Sequence, residues 1–217
     1  MDLQEVLRRV DTAFAETSGG TPGWPNPHAG GREPAPEEYS RESDPGKYRI
    51  LAARVQAWSQ VLVEAGVAHA EVLDGAAVAW RGRLTTGLPV VEAVRLCPTD
   101  RDAVPLVLAT RAEVDGAATV LSVGAGDPAH EVELVPDCSC DACDQGSQDL
   151  LESLDERVMD VVSGALVHVA TPEGYVQERR EGMAASSGGT PIDARRVLAD
   201  LEAGRSRYPV VRGGPWW

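Results

Sequence analysis

Cys138, Cys140 and Cys143 place three thiols in one short run, and Asp137, Asp141 and Asp144 are interleaved with them. A tight turn carrying C-x-C-x-x-C brings successive sulfurs inward, where thiolates can converge on a soft or borderline metal such as zinc. Carboxylates beside them can serve as oxygen ligands or can orient a ligand. A structural zinc takes four ligands, so one place is left to fill. The fourth cysteine, Cys97, closes an apolar run at Val90 to Leu96. It reaches the cluster if that run pairs beside Glu131 to Val135, and Asp141, Asp144 and His168 are the other choices.

Two metal-free readings stand beside this one. The three thiols can order a tight loop as small, inward-packing side chains. Alternatively Cys140 and Cys143 can act as a redox or nucleophilic pair, although neighbouring aspartates raise thiol pKa values and oppose a reactive thiolate.

No other motif names a chemistry. The histidines His28, His69, His130 and His168 are dispersed, with no H-x-x-x-H or H-E-x-x-H pair, and neither G-x-S-x-G, G-x-G-x-x-G nor a P-loop occurs. Gly-Gly-Thr-Pro appears at Gly19 and again at Gly188, without the preceding strand that a phosphate-cradling loop needs. Among twenty basic residues Lys47 is the sole lysine, and the formal net charge is -14. That charge repels nucleic acid and anionic membrane surfaces, so neither is an expected partner. The opening MDLQEVLRRV lacks the apolar stretch of a signal peptide, and no window approaches a membrane span, so the expectation is cytoplasmic. In that compartment cysteines are thiols or metal ligands rather than disulfides.

The elements that must position the cysteine loop are legible in outline. Residues 2–16 carry Leu3, Val6, Leu7, Val10 and Phe14 at helical spacing, and 47–64 carry Ile50, Leu51, Val55, Trp58, Val61 and Leu62 on one stripe, with Asp44-Pro45 ahead and Gly66 as a stop. Between these helices, 21–45 is an irregular Pro-rich segment in which Trp24 argues for draping over the core. Short β-prone runs follow at 68–73, 90–96, 104–111, 119–123 and 131–135, with Asp115-Gly116 as a hairpin signal. Ser147 suits the cap of a helix closed by Gly164, so the cysteines fall on a strand-to-helix junction. A further strand is expected at 166–170, a Gly/Ser hinge at 186–191, a last helix at 192–203 and a tail over 204–217. Trp216 and Trp217 end that tail and must dock on this chain or on a partner.

The run Cys138-Ser-Cys-Asp-Ala-Cys-Asp-Gln-Gly-Ser147, the following Leu150-Leu151 and Leu154-Asp155, and Asp44-Pro-Gly-Lys-Tyr-Arg49 are similar to an uncharacterised actinobacterial family of small acidic proteins, known only as a domain of unknown function. Ser139 departs from the Cys-Gly-Cys-Asp-Ala-Cys-Asp pattern of that family without touching the thiols. The resemblance implies one domain over residues 1–217 and no established activity.

The expected architecture is a single α+β domain: an antiparallel sheet of four to six strands packed against two main helices, with terminal helices at either end. The expected function is a non-catalytic protein-binding module with a structural zinc at Cys138, Cys140, Cys143 and Cys97. The alternatives are a metal-dependent hydrolase with one open zinc position, and a thiol redox protein.

Overall fold

Alternation of apolar residues along the middle of the chain builds its central layer. In this computed structural model, which describes residues 2–82, 84–112 and 118–217, five antiparallel strands run in sequence order: β1 (Ala68–Asp74), β2 (Val90–Pro98), β3 (Leu106–Ala112), β4 (Ala118–Ala125) and β5 (His130–Val135). The Asp115-Gly116 turn lies outside the described residues. On β3, Leu106 and Leu108 face the main core, whereas Val107 and Ala109 face a smaller apolar cluster with Val78, Ala93 and Ala129. Both faces of the sheet are therefore covered, as the period of two along a strand allows.

Helices cover the first face. The helix α1 (Leu3–Thr17) buries Val6, Val10 and Ala13, and α2 (Ile50–Glu64) buries Leu51, Val55, Trp58 and Leu62. A 3₁₀ turn at Pro45–Arg49 leads straight into α2; Asp44 precedes it without a side-chain cap bond. The third helix, α3 (Ser147–Val162), buries Leu150, Leu154, Val158 and Val162 against the same core. Inside this layer Arg54 donates to Asp155 at 2.9 and 2.5 Å, and Trp58 Nε1 donates to the same carboxylate at 2.7 Å. That knot locks α2 to α3, and Asp11 reaches it from α1 at 2.8 Å.

A second sheet goes beyond the single one expected. Its strands are β6 (Val167–Ala170), β7 (Gly174–Arg179), β8 (Gly182–Ser187) and β9 (Val210–Arg212), in the order β8-β7-β6-β9. The segment over β7 and β8 is charged and glycine-rich and lacks a clean alternation, which hid it from the sequence. Ser186 and Ser187 of the expected hinge are the end of β8. The helix α4 (Ala194–Glu202) then packs near that hairpin.

The tail docks on its own chain. β9 pairs with β6, the Trp216 amide donates to Val162 O at 3.0 Å, and the Trp216 side chain is only 2% exposed. Gly164 makes room for this return: it has φ +72, and a Cβ there would lie 2.6 Å from Pro215 N. Among the described residues no helix is long and apolar enough to cross a membrane.

Candidate metal centre

The cysteine loop joins the end of β5 to the start of α3, as the sequence implies. A 3₁₀ turn at Asp141–Cys143 folds it, with Cys140 at the capping position ahead of the turn. Within it the Cys143 amide donates to the Cys140 carbonyl at 3.0 Å, and the Cys138 thiol hydrogen-bonds the Cys140 sulfur. Cys138 Sγ lies 3.3 Å from Cys140 Sγ, and one ligand atom from each of the three cysteines lies within 4.8 Å of the others. A tetrahedral site with metal–sulfur bonds of about 2.3 Å needs sulfurs about 3.8 Å apart, so the three cysteines lie close enough to bind a metal.

Burial raises the Cys140 thiol, but the hydrogen bonds from its two neighbouring thiols and two amides outweigh it and hold the thiol below the ordinary range. Cys143, the thiol that donates to Cys140 and Cys138, is pushed up to about 12. Without a cation, Cys140 is thus the thiol of the cluster that gives up its proton ahead of Cys143. A cation adds the charge that favours ionisation of the remaining two.

The aspartates do something other than bind metal. Asp141 accepts from Arg41 Nε at 2.7 Å, Ser43 N at 2.9 Å and Ser43 Oγ at 2.6 Å, and these bonds hold its carboxyl well below the usual range. Its backbone carbonyl accepts from His28 Nε2 at 2.9 Å. Asp144 accepts from Trp24 Nε1 at 2.9 Å, Lys47 Nζ at 2.5 Å and Gly146 N at 2.8 Å; burial raises this carboxyl, and the bonds from Lys47, Trp24 and Gly146 more than offset it. Both carboxylates thereby strap the Pro-rich segment across the loop, which is the draping that Trp24 implied.

Ser147 is not the cap of α3. Gly146 takes that place with φ +91, where a Cβ would lie 2.7 Å from Asn26 N. Ser147 instead exchanges hydrogen bonds with the Trp24 backbone, accepting from Trp24 N at 3.0 Å and donating to Trp24 O at 3.1 Å. Tyr48, at the entry to α2, donates to Ser139 O at 3.2 Å. The loop is thus held from both sides by a segment far away in sequence.

Cys97 does not join the cluster. The expectation required β2 to neighbour β5, but β3 and β4 lie between them. The register also runs Leu96 to Leu106, Leu106 to Ala125 and Ala125 to His130, so Cys97 is level with the start of β5, whereas Cys138 lies beyond its end. Three strand spacings of about 4.8 Å and most of a strand length separate them. Cys97 instead sits near His69 and Glu71 of β1. His168 is equally distant in function: it is 3% exposed on β6 and meets His130, at the other end of β5.

Beside the cluster is a cleft of about 270 Å³ to which Cys138 and Cys143 contribute, along with Trp24, Glu133, Asp149 and Arg157. Cys138 and Cys143 are exposed and Cys140 is partly so. The three sulfurs are therefore reachable from solvent.

Searches against curated proteins and against solved structures find no match to this chain. A family model does match, over residues 10–217, and covers the second half of α1, the other helices, both sheets and the cysteine loop. The chain accordingly belongs to the family of unknown function DUF6226.

Proposed function

We propose that this chain is a zinc-binding protein that holds the ion with Cys138, Cys140 and Cys143 and leaves its fourth position to a ligand from outside the loop. One observation carries the reading: three sulfurs gathered within 4.8 Å of one another around one tight turn. A hydrogen bond from the Cys138 thiol to the Cys140 sulfur favours the Cys140 thiolate before any ion arrives. Three sulfur donors select a soft or borderline cation over magnesium or calcium.

Three anionic thiolates give a zinc centre a net charge of about -1 and reduce its power to polarise a bound water. The site is accordingly better suited to accepting a ligand atom from a protein partner than to hydrolysis. This agrees with a non-catalytic, cytoplasmic, protein-binding module. The acidic surface steers such a module toward basic partners.

The test is the zinc content of protein purified without chelators. About one zinc per chain in the wild type, and none in Cys140→Ser, supports the reading. Metal-free protein with four titratable thiols contradicts it.

A second reading has its own observation, the 3.3 Å contact between Cys138 and Cys140. Reversible oxidation of that pair would make the loop a redox element. The same preparation distinguishes it: two thiols lost on mild oxidation and recovered with dithiothreitol, with no zinc bound at any stage.

A further inference from the structure

At the start of β5 lies a second cleft that is independent of the thiol site. Its volume is about 360 Å³, and it opens between the two sheets, where His130 of β5 meets His168 of β6 and Tyr175 of β7. The imidazole centroids are 5.3 Å apart, and His168 stacks on Tyr175 at 5.5 Å. Arg81, Thr85 and Glu173 also line it.

The hydrogen bonds around His168 fix which nitrogen carries its proton. Arg179 Nε donates to Gln177 Oε1 at 2.7 Å, which sets the orientation of that amide. The Gln177 nitrogen must then donate, to Val132 O at 2.9 Å and to His168 Nδ1 at 3.1 Å. With Nδ1 accepting, the neutral ring bears its hydrogen on Nε2 and is a donor toward the cleft. Burial keeps His168 neutral at pH 7, and burial together with Arg81 does the same for His130.

Glu131 also borders the cleft, but its oxygens are engaged by Ser122 Oγ at 2.6 Å, Thr85 N at 2.5 Å and Arg111 Nη2 at 3.4 Å. Arg81 and Glu173 enter no ion pair among the described residues. Among the described residues the His168 Nε2–H, the His130 ring and the Arg81 guanidinium therefore remain for a ligand, with the unpaired Glu173 opposing excess negative charge.

We propose that this cleft binds a small monocarboxylate, its oxygens accepting from His168 Nε2–H and pairing with Arg81. A guanidinium and an N–H donor match the two oxygens of a carboxylate. Glu173 disfavours a dianion such as phosphate. The volume lies within the range of small-molecule sites and admits an acid the size of benzoate.

The experiment uses the full chain with ¹⁵N-labelled histidine and long-range ¹H–¹⁵N correlation spectra, titrated separately with benzoate, acetate and inorganic phosphate. The expected spectrum shows His168 as the Nε2–H tautomer. Its signals and those of His130 should then shift saturably with both carboxylates, and phosphate should bind at least tenfold more weakly. Arg81→Ala, a surface change that leaves both sheets intact, should weaken benzoate tenfold or more. An Nδ1–H tautomer, no saturable response to either carboxylate, tighter binding of phosphate, or unchanged benzoate affinity in Arg81→Ala would each overturn the proposal.

Discussion

The two ends of β5 present polar chemistry in opposite ways. At its start, His130 and His168 are buried between sheets and oriented by a chain of side-chain bonds through Gln177 and Arg179. At its end, Cys138, Cys140 and Cys143 are reachable by solvent, and the surrounding carboxylates, rather than the thiols, hold the loop in place. The difference shows where capacity for an outside ligand remains. In the cleft the His168 and His130 rings and the Arg81 guanidinium are left over among the described residues; in the loop the three sulfurs are, while Asp141 and Asp144 are engaged by Arg41, Ser43, Lys47 and Trp24.

The comparison can be broken by removing structural groups and functional groups in turn. The largest effect belongs to Asp155→Ala, which strands Arg54 and the Trp58 indole N–H inside the helix layer. Unfolding by urea should show a loss of about 3–5 kcal/mol, as when one partner of a buried ion pair is deleted. A loss under 1 kcal/mol would mean that the helix layer does not depend on this knot.

Next in size is a pH effect at the start of β5. Burial lowers His168 to about 4, below the ordinary histidine value near 6.5, so the folded protein prefers the neutral ring. The unfolded chain takes up its proton first, and stability present above pH 6.5 is lost as pH falls toward 4. The span corresponds to about 3 kcal/mol. Urea midpoints measured between pH 7 and 4.5 should fall more steeply in the wild type than in His168→Gln, and parallel slopes would refute the assignment.

A smaller effect is expected from Asp144→Asn, which keeps the shape but weakens the bonds to Lys47 and Trp24. Stability should fall by about 1–2 kcal/mol, and zinc affinity by about tenfold, as for groups that orient ligands. Competition with a chromophoric chelator measures the latter. The smallest effect is Cys97→Ser: with Cys97 at the far corner of the sheet, the zinc content of the protein should not change. A loss of zinc there would restore Cys97 as a ligand and contradict the strand order.

The helices α1, α2 and α3 and the central strands of the first sheet were legible because burial on a face imposes a period that survives in sequence, whereas β1, with Ala68 alone buried, was marked by its β-prone run between turn residues. Val107 and Ala109, alternating with Leu106 and Leu108, show how directly this works. β7 and β8 escaped because Gln177 and Arg179 on β7 reach across to β5 and Ser186 and Ser187 on β8 are exposed, so no apolar alternation marks them. The thiol cluster was visible because its members are adjacent in sequence. The pairing of His130 with His168 was not, because only the docking of two sheets brings together residues on β5 and β6. The misplacement of Cys97 has the same origin: strand order is a long-range property, and the run at Val90 to Leu96 carries no mark of its neighbour.

Cobalt substitution tests the metal centre most directly, because cobalt(II) reports its ligands by absorption. Metal-free protein titrated under reducing conditions should develop a thiolate-to-cobalt charge-transfer band that saturates at one equivalent, has an intensity corresponding to three sulfurs, and disappears on addition of zinc. Cys140→Ser should lack it and Cys97→Ser should retain it in full. Absence of a charge-transfer band in the wild type, or an equal band in Cys140→Ser, would contradict a three-thiolate metal site at this loop.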